Sequence, residues 1–510
     1  MGKELMMAVD LGTSFIKSAV YDMDGNRIAS GKEPVQSLQP APGCFIQKGG
    51  DLMASVLRCM KAAADQTENV QDIAVLSFSG QMAGFMAVGS DWEDITRWSC
   101  SADTRYVPFA NRQMAQFADD FYSICGTNSP LFSTKYAWFA SEFPQEAKRI
   151  SKYLMLTGYV IGNLGDRSVE DAVIDRSLIT WTGLADVKNA RWSEKLCDEL
   201  HVPMDRLPRI TESYEVVNRL SRKAAELTGL SEGLPIVSGA GDKIAGCTGA
   251  GNLRPGDMLF EAASFGAVSC VTEDFRLDQE HRGFDLLNSI GGKYCAHFYM
   301  PGSGITQEWF VNQFCRDRNE SLTEAFDRMD QEMAAVPAGS DGLFAEGMLS
   351  GTVMPFNGDL RGAFVGETWT HTRAHFYRAL MESFAYALGS AISRITAVYP
   401  EYAAQKKIRM IGGGAKSPAQ AQLYADVLGK QMETIPVKDP ALWGACLLGA
   451  KGIGLVDDLP SYAEKFVQNG KAYEPDPEKT NLYRKYADIY YEFNEQLTEM
   501  SRKLQKVNHL

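Results

Sequence analysis

Residues 8–22 of this chain, AVDLGTSFIKSAVYD, give the first clear structural signal. The apolar run that ends at Asp10 is typical of a buried strand, and residues 15–21 alternate apolar and polar side chains as a second strand does. Residues 24–25, an Asp-Gly pair, mark a tight turn before a third extended stretch at 27–35. The segment therefore predicts a meander of three antiparallel strands.

The turn inside this segment is also a candidate anion site. Gly12, Thr13 and Ser14 are small, so their backbone N–H groups are able to approach an anion closely. Asp10 is suited to hold a hydrated magnesium ion, and Lys17 adds a positive charge nearby. These residue types suit the phosphates of a nucleotide. The alternative interpretation is an ordinary hairpin turn, in which such residues are common.

Strands and helices alternate through the rest of the chain, which favours an α/β architecture. Helical periodicity covers residues 51–66, 107–122, 134–148, 371–398, 418–428 and 480–506, whereas extended patterns cover 73–78, 257–272, 407–411 and 431–436. The second half repeats the first in outline. We therefore predict two related domains, residues 1–250 and 251–510, that face each other across a cleft, with a helical extension at the C-terminal end.

Residues 239–242, Gly-Ala-Gly-Asp, follow the apolar strand 235–237 and open a helix rich in Ala and Gly. A carboxylate at a helix N-terminus is stabilised as the anion by about 0.3–1 kcal/mol. Asp242 is therefore placed to accept a proton from a hydroxyl group. The alternative is a plain helix N-cap, a position in which Asp is common.

Residues 411–418, IGGGAKSP, join a strand to a helix. Gly412, Gly413 and Gly414 permit a close, flat approach of a ring or a phosphate, although a loop that needs positive φ is an equal alternative. Ser417 fits the N-cap of the following helix and Pro418 its first position. The spacing is not that of a P-loop, and GAGDKIAG is not a dinucleotide fingerprint.

Together, the order D-L-G-T-S, G-A-G-D and G-G-G-A-K-S resembles the FGGY family of carbohydrate kinases, and its xylulokinase-like members in particular. This family belongs to the sugar kinase, Hsp70 and actin superfamily. The resemblance extends to about residue 455, because SGQMAG at 79–84, SADTR at 101–105 and WGAC at 443–446 are similar to further motifs of the family.

The resemblance implies two actin-like (ribonuclease H-like) domains that close on ATP and Mg²⁺ in a central cleft. It implies phosphorylation of a sugar, a ketose such as xylulose or a related polyol, with Asp242 as the general base and with Asp10 and Asp242 at the metal. The implied substrate-binding residues are Gln81, Met82, Asp103, Arg105 and Asp242. The implied ATP-binding residues are Gly12, Thr13, Ser14, Lys17, Ser264, Gly412, Gly413, Gly414 and Ser417.

Departures from the family pattern concern the substrates more than the fold. Ala83 and Ser101 stand where xylulokinase-like members carry His and Trp, which predicts an acceptor larger than D-xylulose or differently hydroxylated. The second phosphate loop, usually G-T-S-G, aligns with AASF at 262–265 (Ala262, Ala263, Ser264, Phe265). Losing a Thr hydroxyl there removes one phosphate hydrogen bond, worth about 0.5–1.5 kcal/mol, and Glu261 repels phosphates if it faces them. The rival hypothesis is a catalytically weak, ligand-binding regulator, although the retained Asp242 weighs against it.

Composition narrows the classes of partner. Sixty-four acidic residues against 51 basic ones give a formal charge of -13, which disfavours nucleic acid as a partner. The ten cysteines show no C-x-x-C spacing, and neither a secretory signal nor an apolar run of about 18 residues is found. We expect a cytoplasmic protein that acts on small molecules. The aromatic residues at 483–493 have helical spacing, which predicts a packing face and, with it, a homodimer.

Overall fold

The computed structural model describes residues 4–508. The strands that precede residue 250 are β1 Leu5–Leu11, β2 Phe15–Asp22, β3 Arg27–Pro34, β4 Ile46–Gln47, β5 Ile73–Gly80, β6 Gly84–Val88, β7 Trp98–Cys100, β8 Lys152–Leu154, β9 Val173–Asp175, β10 Ala185–Asp186, β11 Arg191–Trp192, β12 Arg209–Thr211, β13 Val216–Arg219, β14 Pro235–Val237 and β15 Ala240–Gly241. The later strands are β16 Met258–Ala262, β17 Gly266–Thr272, β18 Asp285–Asn288, β19 Tyr294–Met300, β20 Phe344–Glu346, β21 Thr352–Val353, β22 Phe356–Asn357, β23 Ala363–Val365, β24 Lys407–Gly412, β25 Gln431–Thr434 and β26 Lys471–Tyr473.

The first large sheet has the strand order β13-β14-β5-β1-β2-β3, and β15 also pairs with β5. Strands β1, β2 and β3 form the antiparallel meander that the opening segment predicts, while β5 and β14 continue the sheet in parallel with β1. Apolar side chains fill β1 almost completely because the sheet is covered on both faces.

The second large sheet repeats this plan with the order β18-β19-β17-β16-β24-β25-β26. Here β16, β17 and β19 are the antiparallel meander, and β24 and β25 are the two strands parallel to β16. In both sheets the meander is followed by two parallel strands next to its first strand. The two-domain α/β fold predicted from the repeat is confirmed.

The helices cover the sheets and the cleft. They are α1 Gly49–Ala64, α2 Val107–Asp120, α3 Leu131–Glu142, α4 Pro144–Ala147, α5 Leu156–Leu164, α6 Glu194–Glu199, α7 Arg222–Thr228, α8 Asp242–Gly249, α9 Ser303–Phe310, α10 Leu322–Ala334, α11 Arg373–Val398, α12 Pro418–Leu428, α13 Pro440–Gly452, α14 Leu459–Glu464 and α15 Pro477–Asn508. The predicted N-cap of α12 is present, since Ser417 Oγ accepts the Gln420 N–H at 3.2 Å.

Two hydrophobic cores correspond to the two sheets. Helix α13, although late in the chain, packs with the first core and lies against α8, β1 and β5. The domain boundary near residue 250 therefore stays a prediction. Helix α15 packs on the second core through Tyr483 and Tyr490, which are nearly inaccessible to solvent. The aromatic face thus has a partner within the chain, and the homodimer also stays a prediction.

All ten cysteines are buried and free, so the described residues contain no disulfide. Between residues 4 and 508, the helices are too short or too polar to span a lipid bilayer.

Candidate active site

The first sheet brings three loops together at one edge. Leu11 in β1 and Gly241 in β15 both pair with Gly80 in β5, in parallel register. Parallel strands end at the same edge of a sheet, so the residues that follow them emerge side by side. The residues that follow are Gly12, Gln81 and Asp242.

Gln81, Met82 and Asp242 line a cavity of about 260 Å³, which we call the Gln81 cavity. The other lining residues are Thr13, Ala83, Ser101, Ser129, Leu131, Trp181, Lys243, Asp285, Tyr299, Val353 and Met354. Gln81 Oε1 accepts the Trp98 indole N–H at 3.3 Å, whereas Gln81 Nε2 is buried without a partner among the described residues. A buried donor of this kind is available to a ligand hydroxyl.

A glycine is required beside this cavity. A Cβ atom at Gly241 would lie 2.5 Å from the Met82 side chain, so only glycine lets Met82 pack there. The Gly241 N–H donates to Ser177 Oγ at 2.8 Å, and the Ser177 hydroxyl donates to the Asp175 carboxylate. This chain of hydrogen bonds fixes the backbone immediately before Asp242.

Asp10 and Asp242 face a second, larger cavity of about 640 Å³, the Asp10 cavity. It is also lined by Leu11, Gly12, Lys243, Gly246, Leu259, Glu261, Ser269, Met410, Ile411, Gly412, Gly413, Ala415, Lys416, Ile435, Pro436, Val437, Lys438, Pro440 and Ala441. Asp10 Oδ1 accepts the Ser79 hydroxyl at 2.9 Å. Burial, with the nearby Asp242 carboxylate, raises the pKa of Asp10 to about 6.

Asp242 is the first residue of α8, and Gly241 is the N-cap. The plain N-cap interpretation therefore does not describe Asp242. Burial raises the pKa of the Asp242 carboxyl above its usual value, Glu261 adds to this effect, and Lys243 opposes it. A higher pKa makes this carboxylate a stronger proton acceptor.

Glu261 lines the Asp10 cavity, but it does so as half of an ion pair. Lys243 Nζ lies 2.6 Å from Glu261 Oε2, so the charge expected to repel phosphates has a cationic partner. Sequence reasoning did not single out Lys243, although it follows Asp242 directly in the sequence. The pairing itself depends on the approach of α8 to β16.

The ends of two parallel strands also meet in the second sheet. Ala262 in β16 pairs with Gly412 in β24, in parallel register. Gly412 has φ +95°, and a Cβ atom there would lie 2.5 Å from the Ala262 carbonyl oxygen. Only glycine suits this position.

Beyond these strand ends lies a third cavity of about 470 Å³, which we call the Ser417 cavity. Its lining includes Ser264, Gly413, Gly414, Lys416 and Ser417, together with Ala262, Ala263, Ser303, Gly304, Gln307, Glu308, Thr323, Phe326, Asp327, Asp330, Met381, Phe384, Gln420 and Tyr424. Of the predicted ATP-binding residues of the second half, Ser264, Gly413, Gly414 and Ser417 line this cavity, whereas Gly412 lines the Asp10 cavity.

Asp103 and Arg105, which were predicted to bind the substrate, are not among the described residues that line the Gln81 cavity. Arg105 Nη2 donates to Asp103 Oδ2 at 2.6 Å, and Ser99 Oγ donates to the same oxygen at 2.8 Å. Burial favours a higher pKa for Asp103, but these hydrogen bonds lower the pKa below its usual value. The pair is an ionised support for the loop at Ser101.

Ser14 and Lys17 also lie away from the three cavities. Ser14 is exposed, and its carbonyl accepts the Val35 N–H at 2.9 Å. Lys17 Nζ lies 3.7 Å from Asp439 Oδ1 at a partly exposed position.

Sequence reasoning missed Trp181, Asp285 and Tyr299, which line the Gln81 cavity. Asp285 Oδ2 accepts the Trp181 indole N–H at 2.6 Å and the Thr127 hydroxyl at 2.9 Å. These contacts join β18 of the second sheet to loops of the first half. No local motif marks these residues, because only the fold brings them together.

Comparisons with known proteins agree with this architecture. The model of the N-terminal domain of the FGGY family of carbohydrate kinases matches residues 5–249, and the model of the C-terminal domain matches residues 294–453. A xylulose kinase of Bacillus subtilis (strain 168) is 26% identical over 499 residues, which cover 95% of each chain.

Solved structures show the same fold. A gluconate kinase from Lactobacillus acidophilus has a TM-score of 0.89 at 23% identity, covering 99% of this chain and 100% of that one. A ligand-bound xylulose kinase from the same organism has a TM-score of 0.89 at 23% identity, covering 98% and 100%. The two family models together match more than half of the sequence, and the chain therefore belongs to the FGGY family of carbohydrate kinases and is a sugar kinase.

Proposed function

We propose that this enzyme transfers the terminal phosphate of ATP to a hydroxyl of a ketose such as xylulose, or of a related polyol, with Asp242 as the general base. One observation carries the proposal: Asp242 borders both the Gln81 cavity and the Asp10 cavity. A base for phosphoryl transfer must reach the acceptor hydroxyl while it lies beside the phosphate. Asp242 meets both requirements.

In this mechanism the acceptor sugar occupies the Gln81 cavity. The unpartnered Gln81 Nε2 donates to a sugar hydroxyl, and the Asp242 carboxylate takes the proton of the attacking hydroxyl. The hydrogen bond from the Gly241 N–H to Ser177 Oγ holds Asp242 in place. Positioning of this kind supplies much of the rate of phosphoryl transfer.

The nucleotide occupies the other two cavities, with the phosphates near Gly12 and Gly412 and the adenosine end towards Ser417. Lys416 and Lys438 line the Asp10 cavity and add positive charge to it. The glycine at 412 leaves the backbone open to a close approach by phosphate. The xylulose kinase to which the chain is similar supports a ketose as the class of acceptor.

The residues present fit a magnesium ion. The Asp242 carboxylate lies close enough to Asp10 to raise the pKa of Asp10, and both residues line the Asp10 cavity. Mg²⁺ takes one or two protein carboxylates and completes its shell with water and phosphate. Bound there, Mg²⁺ would neutralise charge on the phosphates.

Small side chains and apolar walls shape the Gln81 cavity, the proposed acceptor site. Ala83 and Ser101 leave space in the Gln81 cavity, and Met82, Leu131, Val353 and Met354 give it apolar walls. We propose an acceptor that is larger than D-xylulose or differently hydroxylated.

A panel of acceptors tests the proposal. ADP release is measured with ketoses, deoxyketoses, polyols and aldonates at saturating ATP and Mg²⁺. We expect one acceptor to raise the rate of ADP release far above hydrolysis without sugar. If the protein binds a sugar in a thermal-shift assay but releases no ADP with any acceptor, the rival role of a ligand-binding regulator is supported instead.

A further inference from the structure

An ion pair spans the cleft beside the proposed general base. Lys243 lies on α8 of the first half and Glu261 on β16 of the second, and their side chains meet at 2.6 Å. The two side chains are 21% and 29% exposed, so both reach the wall of the cleft. The inference drawn from this pair rests on the proposed function.

Lys243 is placed where the two substrates meet. Of the described residues, only Asp242 and Lys243 border both the Gln81 cavity and the Asp10 cavity. Lys416 and Lys438 are also cations, but they line the nucleotide side and not the Gln81 cavity. Among the lysines that line these cavities, Lys243 is therefore the one at the wall that the two cavities share.

The Lys243 ammonium group has N–H donors that Glu261 does not occupy. A lysine ammonium has three N–H donors, and Glu261 is the acceptor recorded for Lys243 among residues 4–508. Two donors remain for oxygens of the phosphoryl group. Charge in the transition state of phosphoryl transfer lies on those oxygens, and a fixed cation stabilises it.

The negative charge on the wall of the Asp10 cavity also favours a cation at this position. Asp10, Asp242 and Glu261 are three carboxylates on the wall of the Asp10 cavity, and Lys243 is the cation that contacts one of them directly. Without Lys243 the nucleotide phosphates would approach all three carboxylates with only Mg²⁺ and more distant lysines as compensation.

We propose that Lys243 is a catalytic residue that binds the transferring phosphoryl group, and that Glu261 is a positioning residue that holds its ammonium group at the wall between the two cavities. In the step itself the bond from the γ-phosphorus to the bridging oxygen breaks. The bond to the acceptor oxygen forms, and the acceptor proton passes to Asp242. Lys243 keeps all its protons and contributes hydrogen bonds and charge.

A purely mechanical ion pair between the two halves makes a different prediction. An ion pair that only holds the two halves together is lost equally when either partner is removed, so variants at Lys243 and Glu261 would then have similar effects. A catalytic cation is lost only in the Lys243 variant, because Lys243 retains its charge when Glu261 is changed.

The experiment compares Lys243→Met, Glu261→Gln and the double variant. Turnover (kcat), the KM for the acceptor and the melting temperature are measured with the best acceptor of the panel. We expect Lys243→Met to lower kcat by about 100-fold, the usual cost of losing one transition-state donor, with the acceptor KM nearly unchanged. Glu261→Gln should lower kcat much less, and the double variant should resemble Lys243→Met.

Lys407→Met is the matched control, because Lys407 Nζ pairs with Glu433 at 2.9 Å outside the three cavities. Lys243→Arg, which keeps the charge, should recover part of the lost kcat. Lys243→Gln replaces the Met variant if the Met variant does not fold.

Equal losses of kcat in Lys243→Met and Glu261→Gln would overturn the proposal in favour of a purely structural ion pair. A raised acceptor KM with unchanged kcat would overturn it in favour of a sugar contact. If the wild-type enzyme phosphorylates no acceptor at all, the proposed function fails and the role of Lys243 fails with it.

Discussion

Ser177→Ala should break the chain of hydrogen bonds that links the backbone before Asp242 to the Asp175 carboxylate. Ser177 is buried, and its hydroxyl accepts the Gly241 N–H at 2.8 Å while it donates to Asp175. Asp175 also accepts the Ser177 N–H at 2.8 Å and the Ser213 hydroxyl at 2.7 Å. Alanine therefore leaves Asp175 with two donors but leaves the buried Gly241 N–H with no acceptor.

The magnitude follows from that orphaned donor. A buried N–H without a partner costs about 1–3 kcal/mol, and about 2 °C of melting temperature per kcal/mol is expected for large domains. We expect Ser177→Ala to melt about 2–6 °C lower than wild type. Displacing Asp242 by a fraction of an ångström should also lower kcat by about 10- to 100-fold, with ATP affinity unchanged.

The assay is thermal melting together with steady-state phosphorylation of the best acceptor. Ser213→Ala is the matched control, because it removes the other hydroxyl donor to Asp175 but leaves the bond between Gly241 and Ser177 intact. A kcat for Ser177→Ala equal to that of Ser213→Ala would refute the positioning role.

Three further variants test other parts of the site. Gly412→Ala should weaken ATP binding by about tenfold or more through strain at positive φ and contact with the Ala262 carbonyl. Gly454→Ala, with φ +79° and open space, is the control, and equal affinity in the two variants would contradict the close approach. Burial raises the pKa of Asp285 from an unfolded value of 3.8 to about 6. Between these pH values the folded protein holds a proton on Asp285 that the unfolded chain has lost. The stability that Asp285 contributes therefore falls as the pH rises from 4 to 6. The stability of wild type relative to Asp285→Asn should therefore fall by about 2 kcal/mol from pH 4 to pH 7, and a constant difference in melting curves would oppose this. Ala83→His narrows the Gln81 cavity and should shift the ratio of kcat/KM values towards D-xylulose; an unchanged ratio would separate Ala83 from the acceptor.

The sequence could predict the motifs that lie at the ends of strands and the boundaries of the long helices. Each of the three glycine-rich motifs lies at the end of a strand. The residues after Leu11, Gly80 and Gly241 emerge at one edge of the first sheet, whereas Gly412 ends a strand of the second sheet. Local sequence also sets the long helices: α11 begins at Arg373 within two residues of the predicted start, and α12 begins at Pro418 as predicted. Periodicity and caps are local properties, so they can be read without the fold.

Contacts between the two halves could not be predicted in this way. Trp181 and Asp285 are 104 residues apart and touch because β18 docks on the first half. The sequence suggested that Glu261 repels phosphates, because the contact between Glu261 and Lys243 also joins the two halves and could not be predicted. The short strands β6 to β12 were not predicted, because strands of two to five residues carry too little periodicity to detect.

The kcat of Asp242→Asn, measured with the best acceptor beside the dissociation constant of that acceptor, tests the central claim most directly. Asparagine keeps the shape of the side chain but cannot accept the proton. We predict that kcat falls by about 10²–10⁴-fold, while the acceptor still binds within about tenfold of wild type. Turnover near the wild-type rate in a variant that binds both substrates would contradict the assignment of Asp242 as the general base.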